Sequence, residues 1–272
     1  MDISILISPA LGILVGLLMG LTGAGGGILS VPLLIFALHL NLVDASPISL
    51  SAIALAASVG ALIGFKNHLL RYKAAIFMAA FGVLLAPAGF WLANRIPNAP
   101  LLLVFSGALF YSALNQYKQA RKAVLGLPEP PRKPPPCLIN PSIGKFQWNI
   151  PCARSLALTG GAAGFLSGLL GVGGGFIIIP ALKKYTNLSA QSIIVTSLGV
   201  QALISGGSVV FAAATGGFNF LIAAPFSLGT LAGLLVGLAI SKKLSGPKLQ
   251  QLFALMVFGV AVSLTIKGIQ GL

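Results

Sequence analysis

Gly20-Leu21-Thr22-Gly23-Ala24-Gly25-Gly26-Gly27, followed by Val31-Pro32, breaks an apolar run and decides how the rest of the chain is read. The pattern returns as Gly168-Leu169-Leu170-Gly171-Val172-Gly173-Gly174-Gly175, followed by Ile179-Pro180. Upstream the match continues at a constant offset, Gly12, Gly16 and Gly20 lining up with Gly160, Gly164 and Gly168. The chain therefore reads as two copies of one unit, 1–117 and 155–272, joined by a middle segment, 118–154.

Composition names the solvent. Of 272 residues, 57% are hydrophobic and 7% charged, against about 25% charged in a soluble domain. This is the make-up of an all-helical protein crossing a lipid bilayer many times. Asp2, Asp44 and Glu129 are the only acids beside 17 Lys and Arg, for a net charge of +14. The bases sit at the ends of apolar runs, which reads as topology determinants and not as a nucleic-acid patch. Cys137 and Cys152 lie in the polar middle segment without metal-site spacing or histidine companions, and read as two incidental thiols on a reducing face. No metal or cofactor is expected. The start, Met1-Asp2-Ile3-Ser4, lacks the basic region of a signal peptide, so the first segment is expected to stay in the protein.

Crossing about 30 Å of hydrocarbon takes roughly 17–25 apolar residues. Six runs qualify: 47–65, 74–93, 101–117, 193–214, 220–240 and 249–266. The regions 3–40 and 155–185 differ, each being an apolar arm, the glycine break and a short second arm. The second arms, Pro32–Leu40 and Pro180–Tyr185, would rise only about 9–14 Å as helix, with proline in the first turn, where its missing N–H costs nothing. If each glycine region crossed the membrane once, the best assignment would put 11 bases inside and 6 outside. If each turns back, 15 lie inside and 2 outside, which the positive-inside rule prefers. The second arrangement makes the halves inverted repeats: a re-entrant glycine-broken hairpin plus three transmembrane helices, twice, with a pseudo-twofold in the membrane plane. Both termini then lie outside and the proline-rich linker, 118–154, is cytoplasmic.

Non-helical backbone at membrane depth survives only within protein or against a polar cavity. Glycines there allow positive φ and close approach of a ligand to the main chain. The short helix that follows aims free N–H groups and partial positive charge at the break, an anion site with no basic side chain. No acid lies at middle depth, which argues against a cation pathway. Candidate binding residues are Gly23, Gly25, Gly26 and Gly27 with Thr22 and Ser30 at the first break, and Gly171, Gly173, Gly174 and Gly175 at the second. On the following helices Ser49 and Ser51 are answered by Thr196, Ser197 and Gln201, with Ser51 and Ser197 taken as equivalent places. Each hydroxyl, taken singly, also suits packing or back-bonding to its own helix. The upstream glycines are packing ridges. No Lys-Ser/Thr follows the breaks, so a nucleotide loop is excluded. His39 and His68 read as interfacial residues.

The doubled Gly-Leu-x-Gly-x-Gly-Gly-Gly with Val/Ile-Pro, and Thr196-Ser197-Leu198 after the second copy, resemble the TauE/SafE sulfite exporter family over residues 4–266. The resemblance implies a cytoplasmic-membrane permease for sulfite, organosulfonates or related sulfur oxyanions. Ser49-Leu50-Ser51 departs from that family's threonine-serine pair, and the long proline-rich joint is unusual for it. The expectation is a transporter of a small sulfur-containing oxyanion working by alternating access, with the lipid bilayer and the substrate as its partners. An anion channel, or a carrier of another small organic anion, is the alternative. An enzyme would find no cluster of Asp, Glu, His or Cys at membrane depth to work with.

Overall fold

The computed structural model describes residues 3–22, 26–125, 135–138, 148–214, 218–244 and 247–271. They form ten helices and, among the described residues, no strand: α1 (Ile3–Thr22), α2 (Gly26–Ala37), α3 (Leu42–Lys66), α4 (Tyr72–Ala93), α5 (Asn98–Val124), α6 (Ile150–Leu170), α7 (Gly175–Tyr185), α8 (Ala190–Ala214), α9 (Phe220–Leu244) and α10 (Pro247–Gln270). Six of these, α3–α5 and α8–α10, are long and apolar enough to cross a membrane. Leu62, Leu84, Val210 and Phe220 project their side chains outward, the pattern of a lipid-facing wall. This is an all-helical integral membrane protein.

The helices outrun the apolar stretches that mark them in the sequence. α3 begins at Leu42, five residues before Pro47, with Asp44 in its first turn and Lys66 in its last, charges that complement the helix dipole. α5 runs to Val124 and so takes up the first seven linker residues, a stretch of good helix formers ending in Arg121 and Lys122. One expectation needs correcting. α2 and α7 start at the glycines themselves, so Pro32 and Pro180 stand inside the helices and not in their first turns. Proline has no N–H, and the carbonyls of Ile28 and Phe176, four residues earlier, lose their helical donor. His39 and His68 have φ of 53° and 55°. They follow α2 and α3 and end them in the left-handed region, where histidine is enriched.

Helix directions follow from which backbones touch. Along α1, Gly12, Gly16 and Gly20 meet Phe226, Thr230 and Leu234 of α9 in rising order, so the two run parallel. Gly160, Gly164 and Gly168 of α6 meet Met78, Gly82 and Ala86 of α4 in the same way. A Cβ added at Gly16 or Gly164 would overlap the facing carbonyl, so these joints are backbone against backbone. α3 runs antiparallel to α8, Gly60 meeting Leu198 and Gly64 meeting Val195. It runs parallel to α9, through Ser51 with Ser227 and Gly60 with Leu234. α4 is parallel to α8, through Ala75 with Gly199 and Gly82 with Ile204. α5 and α10 are antiparallel, through Leu103 with Gly268 and Phe110 with Phe258. α2 returns against α3, Gly27 meeting Ile53 and Ser30 meeting Ser49. The chain thus doubles back between α1 and α2. It does so again between α6 and α7, since Gly173 lies against Ser205 while α7 ends five residues before α8 starts.

These directions gather the bases. The ends of α3, α5, α7 and α9 and the starts of α4, α6, α8 and α10 share one face, hereafter the basic face. The described bases there are Lys66, Arg71, Lys73, Lys118, Arg121, Lys122, Arg154, Lys183, Lys184, Lys242, Lys243 and Lys248; Arg95 and Lys267 belong to the opposite face.

The middle segment brings a second correction. Cys137 and Cys152 are not separate thiols but a disulfide, both fully buried. Cys137 N–H donates to Tyr185 O at 3.0 Å beyond the last turn of α7. Asn149 caps α6, its side chain accepting from Cys152 N–H at 2.8 Å. The bridge packs with Met78, Leu156, Leu182 and Ile193, and Trp148 stacks edge-on against Phe77. Spacing alone could not reveal the pair, because the two cysteines meet through tertiary contacts, Cys137 at the end of α7 and Cys152 at the start of α6.

Gly16→Leu and Gly164→Leu are expected to push α1 off α9 and α6 off α4, and to cut the yield of folded protein several-fold. Size-exclusion chromatography of a fluorescently tagged chain measures this, and normal yield for both variants would disprove the backbone joints. Cys137→Ser should lower thermal stability by about 3 kcal/mol, the entropy of releasing a loop of this length. A melting curve that is the same with and without reductant would rule the bridge out.

Candidate functional site

At the second break Gly171, Gly173 and Gly174 have φ of 73°, 70° and 71°, values glycine alone adopts without strain. Gly171 closes α6, its N–H donating to Ser167 O at 2.8 Å. Gly174 opens α7, and its carbonyl accepts from Ile177 and Ile178 at 3.1 and 3.2 Å. The first N–H groups of α7, beginning at Gly175, have no intrahelical acceptor. The loop is buried, tucked between Ser46 and Ile53 of α3, Ala163 of α6 and Ser205 of α8.

The two breaks meet. A Cβ at Gly27 would lie 3.4 Å from Val172 O. Ser49 Oγ donates to Gly171 O at 2.7 Å, Ser30 Oγ lies 2.7 Å from Gly27 O, and the two serine hydroxyls contact each other. Each hydroxyl carries one proton, so two protons serve three contacts. The chain from Gly27 through Ser30 and Ser49 to Gly171 joins both glycine segments by polar contacts in an apolar surround.

Other buried groups around the second break have no partner. Ser46 Oγ, Ser167 Oγ, Ser205 Oγ and Gln201 Oε1 are buried and make no hydrogen bond among the described residues. Ser46 lies against Gly171 and Ser205 against Gly173; Gln201 is one turn from Ser205 on the same face of α8, and Ser167 is in the last turn of α6. An unmet buried polar atom costs about 1–3 kcal/mol. Four around one glycine loop make a cluster of neutral polar atoms free to take a ligand's hydrogen bonds. Among the described residues no three of His, Cys, Asp and Glu come together to hold a metal.

The residues singled out by sequence separate into groups. Gly27, Ser30, Ser49 and Gly171 are linked, and Gly173, Gly174 and Gly175 continue the same loop into α7. Gly26 packs on Met19 of α1. Gly23 and Gly25 lie outside the described residues. Thr22 bonds back to Leu18 O at 2.7 Å. Ser51 bonds to Ile48 O and to Ser227, tying α3 to α9. Thr196 accepts from Arg71 N–H at 3.2 Å beneath the α3–α4 connection, and Ser197 bonds back to Ile194 O at 2.8 Å. Gln201 Nε2 lies 3.2 Å from Ser197 O. Thr196 and Ser197 are about two turns of α8, roughly 12 Å, from Ser205, and the structure does not bring them to the loop. The offset that carries Gly20 to Gly168 pairs Ser197 with Ser49, whereas Ser51 pairs with Gly199. Sequence reading passed over Ser46, Ser167 and Ser205. The one available signal was the polar stripe Ser197, Gln201, Ser205 at four-residue spacing on an apolar helix.

Comparison with known proteins gives the family. The sulfite exporter TauE/SafE family matches residues 9–264. A probable membrane transporter protein of Xylella fastidiosa (strain Temecula1 / ATCC 700964) is 29% identical over 95% of this chain and 94% of its own. The probable membrane transporter protein YjnA of Bacillus subtilis (strain 168) is 26% identical over 94% of this chain and 97% of its own. The chain belongs to the sulfite exporter TauE/SafE family of membrane transporters.

Proposed function

We propose that the chain carries a small sulfur-containing oxyanion, sulfite or an organosulfonate, across the cytoplasmic membrane by exposing one central site to each side in turn. The observation that carries this reading is the meeting of the two glycine breaks through Ser30 and Ser49, with the unpartnered hydroxyls of Ser46, Ser167 and Ser205 and the unpartnered Oε1 of Gln201 around the second. Hydroxyl groups and glycine N–H groups donate to a pyramidal or tetrahedral anion, and the N-terminus of α7 adds partial positive charge. With no lysine or arginine at the loop, the anion is held by dipoles alone. Such a site releases what it binds.

Alternating access calls for two arrangements of similar energy, which inverted repeats supply. Pairing α1–α5 with α6–α10 by the glycine offset supports such a relation. Cross-half contacts are reciprocal, α1 on α9 answering α6 on α4, and α3 on α9 answering α8 on α4. Counterparts run in opposite directions throughout. Domain limits of 1–117 and 155–272 follow from the same pairing. The positive-inside rule assigns the basic face to the cytoplasm, with both termini opposite. The buried disulfide pulls the other way, since such bonds persist in oxidising compartments. Fifteen bases against two is the weightier signal, and full burial of both cysteines shields the bond from cellular reductants.

In proteoliposomes the purified chain should move radiolabelled sulfite with saturable counterflow. Flux that neither saturates nor shows counterflow would mark a channel. Ser205→Ala and Ser46→Ala should each raise the half-saturation concentration about 10-fold, the worth of one hydrogen bond to an anion, at unchanged yield; normal kinetics in both would remove the loop from the substrate path. Labelling of single cysteines engineered at Lys66 and at Arg95 should find the first accessible from the cytoplasm and the second from outside. The reverse pattern would overturn the orientation.

A further inference from the structure

A narrow cavity of ≈ 50 Å³ opens at the basic face between α5, α7 and the start of α10. Asn115, Gln116 and Gln119 of α5 line it, with Gln250 of α10, Lys183 of α7 and, at its inner end, Gly175. Amides cluster this way on a membrane helix only where they face a partner or a polar cavity. Gln116 Nε2 lies 2.9 Å from Ser112 Oγ. Asn115, Gln119 and Gln250 are half-buried, and no hydrogen bond joins any of them to another described residue. Among the described residues no acid lines the cavity. Its chemistry is amide N–H donors, one ammonium and the amino end of α7, which suits an anion and disfavours a cation.

The counterpart crevice is built differently. The glycine offset carries Gln116 to Leu264, Lys183 to Ile35 and Gln250 to Leu102. There Val31, Leu34, Ile35, Leu102, Phe105 and Leu264 are buried together in one apolar cluster. Lys267 closes its rim, Nζ lying 3.4 Å from Ile35 O and over the Phe36 ring. On that opposite face the cleft between the starts of α3 and α9 is bordered by Asp44, which repels an anion. One mouth is polar and rich in donors. The other is greasy and closed.

We infer that the α5–α7–α10 cavity is a second anion site, a capture subsite where a small sulfonate or sulfite is held at the basic face before it reaches the glycine loop. It rests on the transport reading for its ligand and goes beyond it by naming residues, Asn115, Gln116, Gln119 and Gln250, that the central site does not use. The bases on that face raise the local anion concentration, and several amides together favour an oxyanion, whose oxygens accept hydrogen bonds at separate points, over the single-atom chloride.

The test is protection from alkylation in the purified full chain under non-reducing conditions, where the native cysteines are bridged. Gln119→Cys is modified with a maleimide in the presence of methanesulfonate or of gluconate at equal ionic strength. Methanesulfonate should slow labelling at least fivefold relative to gluconate, and Gln116→Leu with Gln250→Leu on that background should abolish the difference. Ser205→Ala, at the central loop, should leave protection intact. Equal labelling in both salts, or protection that survives loss of the two amides, would overturn the subsite. Wild-type vesicles that move neither sulfite nor methanesulfonate while protection persists would sink the transport reading and leave the anion site standing.

Discussion

Contact between helix backbones, without side chains between them, is the constraint on which this architecture rests. Apolar side chains gain nothing by leaving lipid for one another, so membrane helices are held by close packing and by the polar bonds it permits. The ridges Gly12, Gly16, Gly20 and Gly160, Gly164, Gly168 bring α1 onto α9 and α6 onto α4 with facing carbonyls in reach of the Cα atoms. Those two joints fix the longer arms of the broken hairpins. With the arms fixed, the breaks that follow have one place to go.

That place sets the chemistry proposed for the site. A lysine buried there would bind an anion tightly and, when the anion left, would remain as an unpaired charge at high cost. Serine hydroxyls and glycine N–H groups avoid both problems, because they are neutral when empty and donate when occupied. The Ser30–Ser49 pair adds adaptability, with two protons spread over three contacts. Ser46 and Ser205 stand against the glycines in the same loop.

Much of the fold was readable in the chain because glycine repetition has few uses in an apolar segment. Three positions in a row without a Cβ signal a backbone that must bend or be approached, and small residues every fourth place signal a helix neighbour. The same reasoning singled out Ser30, Ser49 and the second glycine loop, which the structure brings into contact. It passed over Ser46 and Ser167, since a lone serine in a membrane helix looks the same whether it bonds back to its own turn or not. Ser58, for one, bonds back to Ala54 O at 2.6 Å. Thr196 and Ser197 drew attention by their place after the motif, yet three-dimensional depth separates them from the loop. The proline positions were misjudged because the helices start on the glycines, which propensity argues against and burial permits. The disulfide depended on a tertiary meeting of two segments that no local pattern encodes.

The exchange of partners between the halves has a further consequence. α1 finds its glycine-ridge neighbour on α9, in the other half, and α6 finds its own on α4; neither half alone contains the partner that its first helix fits. Two separate half-length polypeptides would have to meet before either could seat its first helix. The joint between the halves adds proximity to a partnership the helices already define.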